Sequence, residues 1–205
     1  MRSHSDPATV RGARGYVDDL SLALDRLDTE QLDGAIEMVA SRIRGGRGVF
    51  VVGNGGSSSV ADHMACDWQA AAWYAGHRTR EISSLTENTA RITAIANDFS
   101  YEAIFEQQLT ERCQPGDLLV CLSVSGASPN VLRAASAARE RGVAVLSLVG
   151  RLSPLSELSD MAVHLDVHGD YGLTEDLQSL FTHMVARSVR KVGTHRVSAP
   201  ARGLV

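Results

Sequence analysis

The stretch that decides the fold is residues 48–67, GVFVVGNGGSSSVADHMACD. Its apolar run, VFVV at residues 49–52, has the length and composition of a fully buried strand that ends at a turn. The loop GNGG at residues 53–56 follows, and glycines tolerate positive φ and let backbone N–H groups approach a ligand closely. Three serines then open a helical stretch. Strand, glycine loop and hydroxyl-rich helix start together predict an anion or sugar-phosphate site.

The helical part of this stretch carries two residues of metal-ligating types, spaced one helical turn apart. His63 and Asp67 are four residues apart, so they lie on one helix face and can hold a single ion together. The glycine loop itself is neither a G-x-G-x-x-G fingerprint nor a Walker loop, because no Gly-Lys-Ser/Thr follows it.

Bulk properties narrow the class of protein. The chain has 205 residues, which suits one domain, and its net charge of −4 without a long basic run lacks the electrostatic footprint of a nucleic-acid partner. No segment approaches 18 consecutive apolar residues, and the N-terminus lacks the apolar core of a signal peptide. The three cysteines, Cys66, Cys113 and Cys121, are an odd and unpatterned set, typical of reduced thiols. We therefore expect a soluble cytoplasmic α/β domain.

Strand and helix patterns alternate along most of the chain. After the strand at 49–52, strands are predicted at residues 80–85, 118–122, 143–148 and 161–167. Helices are predicted at residues 86–96, 101–112, 130–141, 153–158 and 173–192, and two more precede the first strand. This alternation predicts a doubly wound parallel sheet, with leading helices of the kind that commonly pack on a partner subunit. We expect one domain at residues 15–192, between a tail at 1–14 and a disordered tail at 193–205.

A second polar loop repeats the design of the first. Ser123, Ser125 and Ser128 follow the buried strand at residues 118–122 and precede a helix. In open α/β sheets, ligands bind beyond the carboxyl ends of the strands. Hydroxyls, backbone amides and the positive end of a helix can bind a phosphate without Lys or Arg. Any one of these serines could instead be a helix cap or a turn former.

Three motifs carry a resemblance: VVGNGGSSSVADHMACD, AIANDF and LSVSGASPNVLRAASAARERGVAVLSLVG. Over residues 32–191 the chain resembles the sugar isomerase (SIS) domain family, and within it most closely the sedoheptulose-7-phosphate isomerases, also called phosphoheptose isomerases. The resemblance implies a three-layer sandwich with a five-stranded parallel sheet, assembled as a homotetramer with sites at subunit interfaces. It also implies contacts to the sugar phosphate from Asn54, Gly55, Gly56, Ser57, Asn97, Asp98, Ser123, Ser125 and Ser128.

The same resemblance implies a zinc site, with two departures from the family pattern. His63 matches the first metal-binding histidine, and Asp67 stands where the family usually has a glutamate. In the last helix the family has Gln and, eight residues later, a catalytic His. Glu175 and His183 meet that spacing, which gives the metal set His63, Asp67, Glu175 and His183. A competing register aligns Gln178 with the family's Gln, but Ala186 then replaces the histidine.

The activity implied by the resemblance is a ketose–aldose isomerisation through an enediol. It would convert sedoheptulose 7-phosphate to D-glycero-D-manno-heptose 7-phosphate, the first step of nucleotide-activated heptose biosynthesis. Proton transfer needs a base and an acid, for which Asp67 or Glu175 would be the carboxylate and His183 the shuttle. The alternatives are a non-catalytic SIS protein that binds a phosphosugar or a partner such as a replication initiator, and another sugar-phosphate isomerase or lyase. The functional side chains at all four metal positions favour the enzyme.

Overall fold

The structure, a computed structural model, describes residues 12–165, 167 and 169–191. Its strands form one sheet in the order β2-β1-β3-β4-β5, and every neighbouring pair is parallel. The strands are β1 (Val49–Val52), β2 (Ile82–Ser84), β3 (Leu118–Ser123), β4 (Ala144–Val149) and β5 (Met161–His164). This confirms the predicted five-stranded parallel sheet.

Helices cover both faces of the sheet. They are α1 (Ala13–Asp25), α2 (Thr29–Arg44), α3 (Gly56–Tyr74), α4 (Thr89–Asp98), α5 (Ile104–Arg112), α6 (Pro129–Glu140), α7 (Pro154–Leu158) and α8 (Tyr171–Lys191), with a 3₁₀ turn at Tyr101–Ala103 before α5. None of the helices in the described part of the chain is long and apolar enough to cross a membrane.

Alternation along the strands divides the core into two halves. Val49 and Val51 of β1 join a buried cluster with residues of α1, α2, α3 and α8. Phe50 and Val52 point to the other face and join a cluster with α4, α5, α6 and α7. Successive side chains of a strand point to opposite faces, so a strand that is apolar throughout needs cover on both sides. The result is the expected three-layer sandwich.

Caps explain where two helices begin. The Asn88 side chain accepts a hydrogen bond from Arg91 N, so α4 starts at residue 89 and runs through Asp98. The Asp170 side chain accepts from Leu173 N at 3.0 Å, which starts α8 at residue 171. Both starts differ by two or three residues from the pattern-based prediction, which missed the capping side chains.

Other bounds differ because strand pairing ends early. Strands β2 and β5 are shorter than predicted, since their paired registers stop at Ser84 and His164. Of the predicted tails, residues 1–11 and 193–205 lie outside the described residues, whereas residues 13 and 14 belong to α1.

The first helix is tied to the last one. The Tyr16 hydroxyl on α1 donates a hydrogen bond to Asp176 Oδ2 on α8 at 2.8 Å. This bond to a carboxylate, with partial burial, raises the pKa of Tyr16 from 10.0 to about 12. Helix α1 nevertheless leaves Val17, Leu22 and Leu24 exposed. Helix α1 therefore contacts its own domain and still presents apolar side chains on its surface.

Candidate active site

The two polar loops meet at the carboxyl ends of β1 and β3 and border one cavity. Its volume is about 120 Å³, and it is lined by Asn54, Ser57, Leu122, Ser123, Val124, Ser125, Ser128, Tyr171 and Glu175. Small-molecule sites usually measure roughly 300–1,000 Å³, so this chain by itself encloses only part of a typical ligand. Among the described residues, those of the lining include no Lys or Arg, and its neutral hydroxyl and amide groups are the donors available to an anion.

Two glycines of the first loop have distinct roles in its geometry. Gly55 caps α3 with φ +59°, a conformation that favours glycine. A Cβ on Gly56, the first residue of α3, would overlap the carboxylate of Glu175. The glycine loop therefore brings the N-terminus of α3 and the Glu175 side chain into direct contact.

Hydrogen bonds in the second loop leave hydroxyl donors available. Ser123 Oγ accepts from Gly126 N at 3.0 Å, and Ser125 Oγ accepts from Ala127 N at 3.3 Å. A hydroxyl that accepts from the backbone keeps its own O–H to donate. Ser128 is the N-cap residue of α6, so the positive end of that helix adjoins the same loop. This arrangement suits a phosphate group.

Ser57 differs from the other serines. Its hydroxyl donates to Gln178 Oε1 at 3.0 Å, because an amide oxygen can only accept. Gln178 is fully buried and donates from Nε2 to Leu148 O at 3.2 Å. The Ser57 proton is thus used to hold α8 against α3, while Gln178 holds α8 against the sheet. A ligand contact from Ser57 would come from its backbone N–H or its hydroxyl lone pairs.

A second group of side chains lies farther along α3 and α8. His63 Nε2 is 3.4 Å from Asp67 Oδ2, and His183 Nε2 is 3.8 Å from the same oxygen. The two imidazole rings are 5.1 Å apart between centroids, at an interplanar angle of 70°. One ligand atom from each residue lies within 4.8 Å of the others. Ligand atoms about 2.1 Å from a tetrahedral zinc ion are roughly 3.4 Å apart, so this donor set fits such an ion after small side-chain adjustments.

Glu175 does not belong to this three-residue group. It lies in the serine-lined cavity beside Gly56, whereas His183 lies beside His63 and Asp67. Helices α3 and α8 run parallel, and eight residues of helix rise roughly 12 Å. Consequently Glu175 lies beside Gly56 at the start of α3, whereas His183 lies beside His63 and Asp67 farther along that helix. Of the four side chains in the implied metal set, the structure brings three together.

The implied sugar contacts Asn97 and Asp98 lie apart from the cavity lining. Both are exposed at the end of α4, and Asn97 Nδ2 donates to Asp98 Oδ1 at 2.9 Å. The next segment reaches the first loop, since the Tyr101 hydroxyl donates to Asn54 Oδ1 at 3.1 Å.

Sequence reasoning missed several residues around the cavity. Tyr171 lines it from the start of α8, and Asn130 hydrogen-bonds Asn54 across a separation of 76 residues. No local pattern reports a contact between residues so far apart in the chain. For Tyr171 the sequence does contain a signal, because Asp170 is a capping residue type that marks the start of α8 at residue 171.

Comparison with known proteins identifies the family to which this chain belongs. The family model described as the SIS domain matches residues 15–150, which is more than half of the chain. The chain belongs to the SIS domain family. The matched region includes both polar loops, and the resemblance inferred from the three motifs is thereby confirmed.

Several relatives of this SIS domain protein are named phosphoheptose isomerase. It is 37% identical over 155 residues to the phosphoheptose isomerase of Nitratidesulfovibrio vulgaris, a match covering 75% of this chain and 73% of the relative. It is 31% identical over 195 residues to that of Mycobacterium tuberculosis, covering 90% and 94%. The solved structure of the phosphoheptose isomerase GmhA from Neisseria gonorrhoeae matches with a TM-score of 0.74 at 28% identity, covering 87% of this chain and 95% of the other. The five-stranded sheet is thus the fold of these neighbours.

Proposed function

We propose that this protein is a phosphosugar isomerase that converts sedoheptulose 7-phosphate to D-glycero-D-manno-heptose 7-phosphate, the entry to nucleotide-activated heptoses. Relatives named phosphoheptose isomerase, at 31–38% identity, support the broader assignment to the phosphosugar isomerases. The seven-carbon substrate and the direction of the reaction belong to the proposal.

The observation that carries the proposal is the order of the two groups of side chains along α8. Glu175 lines the serine-lined cavity, and His183 of the His63–Asp67–His183 group follows eight residues later, a rise of roughly 12 Å along the helix. An extended seven-carbon chain spans roughly 8 Å, from carbon–carbon bonds of about 1.5 Å, and its phosphate adds to that length. A substrate anchored by its phosphate at Ser123, Ser125 and Ser128 would bring its carbonyl end near that group.

The residues proposed to hold a divalent ion are His63, Asp67 and His183, with zinc as the ion. Nitrogen and carboxylate oxygen ligands suit zinc, and three protein ligands leave a position open, as in catalytic sites. When bound, the ion would supply positive charge that polarises the substrate carbonyl. Glu175, the fourth residue of the implied set, could join it only if its side chain left the cavity.

Proton transfer is assigned to Asp67 and His183. A carboxylate has two oxygens and an imidazole two nitrogens, so each residue can face an ion with one atom and handle a proton with the other. Asp67 would take a proton from the hydroxyl-bearing carbon beside the carbonyl, and His183 would donate a proton to the former carbonyl carbon. The hydroxyl proton of the substrate would move to the former carbonyl oxygen, and the proton left on Asp67 would pass to His183, so that both residues return to their starting states. Glu175, the alternative carboxylate, is proposed instead to accept hydrogen bonds from sugar hydroxyls next to the serine loop, because it lines the same cavity. Asn97 and Asp98 are proposed to contact the sugar from the end of α4.

Assembly and location complete the proposal. We propose a homotetramer with sites completed by neighbouring subunits, working in the cytoplasm. The small cavity and the exposed apolar side chains of α1 support a partner subunit at this face.

The experiment is turnover of sedoheptulose 7-phosphate, followed by the aldose product, before chelation, after it and with zinc restored. We expect activity to fall on chelation and to return with zinc. His183→Ala should lower kcat at least about 100-fold, as loss of an acid–base group does. His164→Ala is the matched control, because that ring hydrogen-bonds Ser156 on the other side of the sheet and should leave kcat within about twofold.

Two results would contradict this proposal. Tight binding of the sugar phosphate without turnover would make the protein a phosphosugar-binding regulator. Full turnover by the His183→Ala variant would remove His183 from the reaction.

A further inference from the structure

Asn54 is held by an unusual set of hydrogen bonds at the edge of the cavity. Its Nδ2 donates to Asn130 Oδ1 at 2.9 Å, and Asn130 Nδ2 donates back to Asn54 Oδ1 at 2.9 Å. The Tyr101 hydroxyl also donates to Asn54 Oδ1, at 3.1 Å. The two side-chain amides thus form a reciprocal pair that joins the glycine loop after β1 to the start of α6.

The orientation of this pair follows from one backbone group. Asn130 Oδ1 also accepts from Val131 N at 3.0 Å, and a backbone N–H can only donate. The oxygen of Asn130 must therefore face Val131 N, and its Nδ2 must face Asn54. Asn54 in turn must direct its oxygen to Asn130 Nδ2 and its nitrogen to Asn130 Oδ1. Turning either amide over would set donor against donor or acceptor against acceptor.

These hydrogen bonds leave the Asn54 side chain able to act toward a ligand only as a hydrogen-bond donor. Its Oδ1 has two lone pairs, and both are used, by Asn130 and Tyr101. One of its two N–H groups is used by Asn130, and the other has no partner among the described residues. Asn54 lines the cavity, whereas Asn130 is only 2% exposed and does not. A ligand in the cavity therefore meets Asn54 as a donor.

From this geometry we infer that Asn130, assisted by Tyr101, is a positioning residue that fixes Asn54 as an obligate hydrogen-bond donor to an oxygen of the sugar. The inference rests on the proposed sugar-phosphate ligand and adds to it two residues that act through a third. Fixing an amide before the ligand arrives reduces the ordering cost of binding. The phosphate has its own donors at Ser123, Ser125 and Ser128, so loss of Asn130 should weaken binding of the sugar and spare that of phosphate.

A double-mutant cycle tests this inference. Dissociation constants for sedoheptulose 7-phosphate and for inorganic phosphate are measured by calorimetry for the wild-type, Asn54→Ala, Asn130→Ala and double-variant proteins. We expect Asn130→Ala and Asn54→Ala each to weaken sugar-phosphate binding about five- to tenfold and phosphate binding less than twofold. In the Asn54→Ala background, removal of Asn130 should have almost no further effect, because the residue through which it acts is gone.

Two further variants separate positioning from general stability. Gln108→Ala is the matched control: this amide is equally buried, but it donates to Leu85 O and Ile104 O away from the cavity, so sugar affinity should not change selectively. Tyr101→Phe changes an exposed side chain and should fold normally, with sugar affinity about threefold lower. Should Asn130→Ala fail to fold, the cycle of Tyr101→Phe with Asn54→Ala replaces it.

The inference is wrong if Asn130→Ala binds sedoheptulose 7-phosphate as the wild type does, or if the effects of the two alanine variants multiply. It is also wrong if phosphate and sugar-phosphate affinities fall equally. Binding without turnover in the wild type would contradict the proposed reaction only, since the cycle is measured on binding.

Discussion

At the scale of single residues, what each polar side chain can offer a ligand depends on the hydrogen bonds that it already makes within the protein. The Ser57 hydroxyl donates its hydrogen bond to Gln178. Ser123 and Ser125 accept hydrogen bonds from the backbone, so their hydroxyl groups can still donate to a ligand. Three serines of the same loops therefore differ in what they can offer a ligand. The chemistry of this site is set by hydrogen-bond partners as much as by residue type.

The contact between Gly56 and Glu175 gives a test at this scale. A Cβ at residue 56 would overlap the end of the Glu175 side chain, which can move away at little cost in folding free energy. We expect Gly56→Ala to change the melting temperature little and to lower kcat/KM for sedoheptulose 7-phosphate about tenfold, because the carboxylate leaves the cavity. Steady-state kinetics and thermal unfolding measure the two effects.

The control is the same substitution in a Glu175→Ala background. There the carboxylate that the added methyl group would displace is already absent, so the double variant should match Glu175→Ala within about twofold. A further tenfold loss in the double variant would mean that Gly56 matters through its own backbone and not through Glu175.

At the scale of elements, the parallel pair α3 and α8 organises both groups of side chains. Contacts repeat along the pair, from Ser57 with Gln178 to the hydrogen bond from Trp68 Nε1 to Thr182 O at 3.0 Å. His63 and Asp67 lie between these two contacts on α3, and His183 directly follows Thr182 on α8. The separation of the cavity from the three-residue group is thus a property of two rigid helices.

Helix α1 is joined to this pair by the bond between Tyr16 and Asp176, which predicts a pH dependence. The pKa of Tyr16 is about 12 in the folded protein, compared with the ordinary tyrosine value of 10.0 that applies to the unfolded chain. Stabilisation from this bond is therefore complete below pH 10 and is lost as the pH rises toward 12. We expect Tyr16→Phe to lower the free energy of unfolding by about 0.5–1 kcal/mol at pH 8, and by less at pH 11.

Urea unfolding at the two pH values measures this difference. Tyr74→Phe serves as the control, since it removes another exposed tyrosine hydroxyl, on α3. Equal losses for Tyr16→Phe at pH 8 and pH 11 would show that the hydroxyl bond is not the source of the stabilisation.

At the scale of the whole molecule, a buried carboxylate and the candidate site lie at opposite ends of the sheet. Asp117, 1% exposed, accepts from Gly48 N and Gln114 N at 2.7 Å each and pairs with Arg80. These contacts tie together the amino ends of β1 and β3. The ligand loops are at the carboxyl ends, roughly 13–20 Å away along the strands.

We therefore expect Asp117→Asn to lower the free energy of unfolding by about 3 kcal/mol, because it leaves buried donors and Arg80 without their carboxylate. The KM and kcat for sedoheptulose 7-phosphate should be unchanged well below the melting temperature. Asp33→Asn, at an exposed position on α2, should change stability by less than about 0.5 kcal/mol. A Asp117→Asn variant with normal stability, or one with a raised KM, would contradict this division.

By itself, the sequence determined the features that depend on short stretches of chain. The buried run at 49–52, the glycine loop after it and the serine loop before α6 are local patterns, and the parallel sheet follows from their alternation with helices. The spacing of His63 and Asp67 likewise fixed a shared helix face. Motif similarity then placed the chain in the SIS domain family.

Only the tertiary structure decided which distant groups share an environment. Packing of α8 along α3 put His183 with His63 and Asp67 and put Glu175 in the serine-lined cavity, although the family resemblance implied one set of all four. The pairing of Asn54 with Asn130 likewise joins two loops that are separate in the chain. Local pattern fixes which way a side chain points on its own element, whereas the neighbours it meets depend on how the elements pack.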